Sequence, residues 1–131
     1  MSVEWREHAG LRYLHVDYRD VTGEDQLTQL AASDREILAH GRPGLRILTD
    51  VRGAAPAPGW LLAVKRSSAQ VTGPLGVVQA VVGVDGVRAA MLRGYNAVGR
   101  GAKAWPFASV PEALEFLASG RTSPGRRGPA V

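Results

Sequence analysis

The stretch Leu48 to Leu61 reads LTDVRGAAPAPGWL, and it gathers residues that could do chemistry. Asp50 ends the aliphatic run Leu45-Arg46-Ile47-Leu48, where a carboxylate can take or give a proton. Arg52 follows two residues later. Pro58-Gly59 opens a new apolar pattern, and the free N–H groups of a helix start can hold an anion. Trp60 adds an aromatic face, and Trp and Arg are favoured interface anchors. Asp50 is the best single acid–base candidate, yet no second catalytic group accompanies it. The chemistry this stretch supports is recognition rather than catalysis.

Other reactive residues do not assemble into a catalytic pattern. His8, His15 and His40 fall on two elements and a helix end, without the spacing a metal site needs. His15 and Asp17 share a strand face and read as an exposed polar pair. There is no cysteine, so thiolate ligands and disulfides are excluded. Ser67-Ser68 sits late in a helix rather than on a strained strand–helix elbow, with hydroxyls expected to face solvent or bond back to the helix. Gly94 to Gly101, GYNAVGRG, follows a helix and precedes a strand, the wrong polarity for a dinucleotide loop. Tyr95 and Asn96 there could line a surface site. No catalytic residue, metal ligand or cofactor is expected. The candidate binding residues are Asp50, Arg52, Pro58, Gly59, Trp60, Tyr95 and Asn96.

The elements that must position them follow from periodicity. Val3 to His8 and Leu11 to Val16 alternate around Ala9-Gly10, which predicts a β-hairpin. Thr22 and the carboxylates Glu24 and Asp25 predict a helix start. An apolar stripe of Leu27, Leu30, Ala31, Ile37 and Leu38, interrupted by Asp34, continues it. Gly41 is placed for a left-handed cap, and Pro43 blocks continuation. Leu45 to Leu48 is a short strand. A second helix opens at Pro58-Gly59 and is broken by TGPLG. Val77 to Val84 is nearly all apolar, as a central parallel strand requires. Asp85-Gly86 opens a third helix, and Ala102 to Phe107 forms the last strand. Ser109-Val110-Pro111-Glu112 is a capping box for a fourth helix. Repeated strand–helix units predict an α/β fold with a mixed, mostly parallel sheet, an N-terminal hairpin and about four helices.

Residues 1–120 read as one domain and 121–131 as a disordered basic tail. The net charge is +4, but Arg121, Arg126 and Arg127 lie in that tail, leaving thirteen basic against twelve acidic residues elsewhere. A nucleic-acid footprint needs a basic folded face, so nucleic acid is not an expected partner. No run reaches the ~18 apolar residues of a membrane span. MSVEWREHAG carries no signal-like apolar region, so a cytoplasmic protein is expected.

The segment VVQAVVGVDGVRAAMLRGYNAVGRGAKAWPFASVPEALEFL carries a resemblance. Val82-Gly83, Tyr95-Asn96, Phe107 and Glu112-Ala113-Leu114-Glu115-Phe116-Leu117 match packing motifs of small bacterial STAS/Sec14-like proteins, with Phe116 where Trp is common. The whole arrangement resembles the SpoIIAA-like fold shared with STAS domains. Antagonist STAS domains carry an Asp-Ser-Ser-Gly-like motif whose Ser is phosphorylated. The equivalent region here is Ala54-Ala55-Pro56-Ala57-Pro58-Gly59, with no Ser or Thr between Thr49 and Ser67. The resemblance therefore implies the scaffold without that phosphoswitch. The expected function is a non-catalytic regulatory or protein-interaction module, acting as monomer or homodimer. Its Sec14-like side implies an alternative, a binder of a small lipid or anionic metabolite at the strand C-terminal edge. Deleting residues 121–131 should leave the melting temperature nearly unchanged. A large drop in a thermal scan would contradict the tail assignment.

Overall fold

A computed structural model describes residues 2–84 and 102–124. Strand β1, Ser2–His8, turns through Ala9-Gly10 into β2, Leu11–Asp17. Both turn residues have positive φ, 50° and 80°, as a two-residue hairpin matching the strand twist requires. Helix α1, Glu24–His40, leads to β3, Arg46–Asp50. Helix α2, Trp60–Ser67, continues through a widened turn, Ser68–Thr72, and a final turn, Gly73–Leu75. Strands β4, Val78–Val82, and β5, Lys103–Phe107, follow, and α3, Val110–Ala118, closes the described chain.

The sheet order is β1-β2-β3-β4-β5, with β1 antiparallel to β2 and the other pairs parallel. The expected α/β architecture, the edge hairpin and the chain-order strands are all present. Three helices occur among the described residues, one fewer than the four expected. The helix expected from Asp85-Gly86 lies outside the described residues.

Alternation along each strand builds two cores. Leu14 and Val16 of β2 and Ile47 of β3 face Ile37 of α1 and Val71 after α2. Tyr13, Leu48, Val78, Ala80 and Val82 face the other way, against Ala113, Phe116 and Leu117 of α3. Burial on both faces is why β2 has no purely polar side. Ser109 caps α3, its hydroxyl accepting from the Glu112 N–H at 3.3 Å.

Several local expectations are corrected. Residue Gly23 rather than Thr22 caps α1, without a side-chain hydrogen bond. Gly41 is extended, φ −75° and ψ 152°, not left-handed. Its N–H still reaches Ile37 O at 2.7 Å. The TGPLG segment does not stop α2, because the chain winds on to Leu75 and ends at left-handed Gly76. The buried side of α1 is Gln26, Gln29, Ser33 and Ile37, while Leu38 is exposed. Hydrogen bonds offset the burial of those amides in part, since Gln29 Oε1 has no partner among the described residues. Gln26 Nε2 donates to Val21 O and Ala55 O, and Gln29 Nε2 donates to Asp17 O. Ser67 is not solvent-facing either, since its hydroxyl donates to Asp34 Oδ1 at 2.7 Å and ties α2 to α1.

The first residues of the expected tail have partners. Trp105 Nε1 donates to Thr122 O at 2.8 Å, and Arg46 donates to Arg121 O. Among the described residues, no helix is long and apolar enough to cross a membrane.

Leu48 is fully buried at the centre of the α3-side core. Leu48→Ala should cost about 2–5 kcal/mol, the usual range for an unfilled Leu cavity. Urea unfolding would measure it, and a loss under about 1 kcal/mol would show that the core closes over the gap.

Candidate functional site

The parallel pairing of β2 and β3 puts Asp17 directly beside Asp50 at the strand C-terminal ends. Each carboxylate begins the same three-residue pattern, Asp17-Tyr18-Arg19 and Asp50-Val51-Arg52. The geometry repeats as well. Arg19 N–H reaches Asp17 Oδ1 at 2.9 Å, and its Nε and Nη2 grip the two oxygens at 3.0 and 2.8 Å. Arg52 N–H reaches Asp50 Oδ1 at 3.1 Å, while its Nε and Nη2 lie 3.0 and 2.7 Å from Oδ1 and Oδ2. Arg19 Nε also lies 3.5 Å from Asp50 Oδ2, which links the two pairs.

Burial explains this need. Asp50 is 1% exposed, and an unpaired buried carboxylate costs several kcal/mol. Bidentate Arg supplies charge and two parallel donors together. Arg19 holds the Asp17 carboxyl down to about 2, from an ordinary 3.8. His15 is 5% exposed rather than part of an exposed pair, and its Nδ1 has no hydrogen-bond partner among the described residues. Burial and nearby Arg6 lower its pKa, opposed by Asp17, Asp50 and Glu4.

The sheet backbone extends into the loops. Tyr18 N–H donates to Asp50 O and Val51 N–H to Val82 O, both at 2.8 Å. Gly83, at φ 105°, lies so close that a Cβ would meet Arg52 N at 2.6 Å. Only glycine fits there without moving the Arg52 backbone.

The loop after Arg52 is held from α1. Ala55 O accepts from Gln26 Nε2 at 2.7 Å, and Ala57 N–H donates to Gln26 Oε1 at 2.9 Å. Gly59 is left-handed at φ 82°, and Ala63 N–H donates back to its carbonyl. Trp60 then meets Tyr18 edge to face, with ring centroids 5.1 Å apart. Beside them opens a cavity of about 240 Å³. Tyr18, Val51, Pro56, Trp60, Leu61 and Val64 supply its apolar wall. Gln26, Thr49 and Gln79 add polar groups, and Thr49 Oγ1 donates to Gln79 Oε1. Leu61 and Leu62 stand 51% and 55% exposed at the start of α2.

Asp50 and Arg52 stand at and just beyond the end of β3, and Pro58, Gly59 and Trp60 at the start of α2. Tyr95 and Asn96 lie outside the described residues. Arg52 is not a free cation over the loop, because Asp50 holds it. Sequence reasoning missed Asp17, Arg19, Tyr18 and Gln26. The repeated Asp-x-Arg pattern was the available signal for the first two. Among the described residues, no three His, Asp or Glu side chains are grouped to hold a metal ion.

Asp50→Asn should destabilise the protein by roughly 1–3 kcal/mol, the range for charge-assisted hydrogen bonds. Hydrogen exchange at the Arg52 amide should speed up with it. Unchanged exchange would mean that the loop is held by other groups. Acid should also act through Asp17. Its folded pKa lies below the ordinary value, so its contribution is present above pH 3.8 and is lost as pH falls towards about 2. Asp17→Asn should flatten the acid-unfolding curve in that window, and a curve parallel to that of the wild type would refute the assignment.

No known family model matches the chain, and no curated protein matches it. A solved structure does. It is an uncharacterised protein of the DUF3478 family from Shewanella loihica PV-4, described as having a SpoIIAA-like fold. The TM-score is 0.61 at 15% identity, covering 88% of this chain and 92% of that one. At that identity the likeness speaks for architecture alone. Together with the five-stranded mixed sheet and its helices, it shows that this chain has a SpoIIAA-like fold.

Proposed function

We propose that this chain is a non-catalytic regulatory or protein-interaction module of STAS-like type, acting in the cytoplasm. Its docking surface is the start of α2 and the rim of the adjacent cavity. The observation that carries this reading is the pair Leu61 and Leu62, each about half exposed, beside an open apolar cleft lined by Trp60 and Val64. Exposed apolar groups that adjoin a preformed cleft mark binding surfaces. Asp50 and Arg52 act here by fixing the loop, and Gln26 braces it from α1. From Gly53 to Val84 the only charged residues are Lys65 and Arg66, so an apolar partner segment with acidic flanks suits the surface. The same stretch has no hydroxyl between Thr49 and Ser67, which removes the antagonist-type phosphoacceptor from the docking loop.

The cavity favours a second reading, a small apolar ligand. Its volume is near the lower end of ligand sites, and Thr49 and Gln79 supply polar groups to orient a guest. The anionic version is less favoured, because Arg52 is engaged by Asp50.

Replacing Leu61 and Leu62 together by Asp should weaken partner binding by about 30-fold or more, as loss of an interface hot spot does. Circular dichroism and the melting temperature should stay close to wild type. Partners recovered equally by wild type and variant would overturn the docking reading. A co-purified small molecule in native mass spectrometry would favour the second reading.

A further inference from the structure

The two edges of the sheet are built differently. β5 carries Pro106, which has no N–H to donate and suits an edge closed to further pairing. β1 contains neither Pro nor Gly. It keeps an unbroken antiparallel register with β2 from Ser2 to His8. Among the described residues, only β2 pairs with its backbone. An outer row of N–H and C=O groups is therefore open to a further strand.

Edge charges normally repel such a strand. On β1 they fit a copy of the same strand. Glu4 and Arg6 share a face, both about half exposed, with an ion pair of 3.1 Å. Two β1 strands can pair antiparallel about a two-fold axis through the sheet. Matching side-chain faces then allow only registers that place each residue opposite one of its own parity. With the axis at Trp5, Glu4 lies opposite Arg6 of the second copy, and Arg6 opposite its Glu4. The next register one way sets Glu4 against Glu4, and the next the other way sets Arg6 against Arg6. Opposite charges across strands stabilise a pair, and like charges destabilise it.

The surroundings leave room. Trp5 is held on the α1 side, its Nε1 donating to Glu36 Oε1 at 3.0 Å, with the Arg12 guanidinium 4.2 Å from its ring centre. Glu4 and Arg6 lie on the opposite face, where α3 packs over β3, β4 and β5 rather than β1.

We propose that β1 is a self-association edge: two copies pair β1 to β1 antiparallel about Trp5, with crossed Glu4–Arg6 ion pairs selecting the register. The edge alone buries less than the ~1,000 Å² expected of a stable interface, so the dimer forms by concentration rather than permanently. This surface is separate from the start of α2, and its failure would leave the docking reading untouched.

Sedimentation velocity tests it over about 10 µM to about 1 mM, a range that reports weak association. Wild type should shift from monomer towards dimer across that range. Glu4→Arg alone and Arg6→Glu alone should each raise the dissociation constant on the order of tenfold, since each replaces attraction by repulsion. An equimolar mixture of these two variants, and the double variant carrying both changes, should associate like wild type again. A wild type that stays monomeric, single variants that associate unchanged, or a mixture that fails to recover would each overturn the proposal.

Discussion

The arrangement of this edge rests on one buried carboxylate. Asp50 closes β3 almost without solvent contact, and such a group persists inside only with charge and donors around it. Arg52 supplies both from two residues downstream, and Arg19 adds a longer contact from the neighbouring strand end. The chain must therefore fold back over its own strand end immediately after Val51. That reversal sets where the Ala-Pro loop begins. Gln26 fixes where it passes, and Gly59 where it becomes helix. Trp60 then falls on Tyr18, and Leu61 and Leu62 are left pointing outward.

Two carboxylate–guanidinium pairs brace the strand ends at this edge. Asp17 and Asp50 are each gripped by the guanidinium two residues downstream, Arg19 and Arg52. An apolar surface of Tyr18, Val51, Trp60 and Leu61 lies next to them. In the proposed docking role, polar groups would do the positioning and apolar groups would offer the contact.

Much of the fold was legible because it depends on patterns that few alternatives share. The alternation of Val3 to His8 and Leu11 to Val16, the apolar β4 and the Ser109 capping box each have a local cause. The Asp50-to-Trp60 edge was legible for the same reason, as a strand end, a small-residue loop and a helix start. What was not legible depends on distant partners. Gln26 and Gln29 look like solvent-facing residues until Ala55, Ala57 and Asp17 arrive from elsewhere in the chain. That tertiary bonding turned α1 away from its Leu27–Leu30–Leu38 stripe. His15 read as exposed because strand alternation does not say which face a neighbouring side chain will cover. Asp17 and Asp50 became one cluster only once β2 and β3 were known to be adjacent and in register.

The start of α2 is the proposed docking surface. A photo-crosslinking residue placed at Leu62, with a control at exposed Glu115 on α3, tests it most directly in the source cell. A discrete crosslinked partner should form from position 62 and none from position 115. Crosslinks of equal yield from both positions, or from 115 alone, would contradict it.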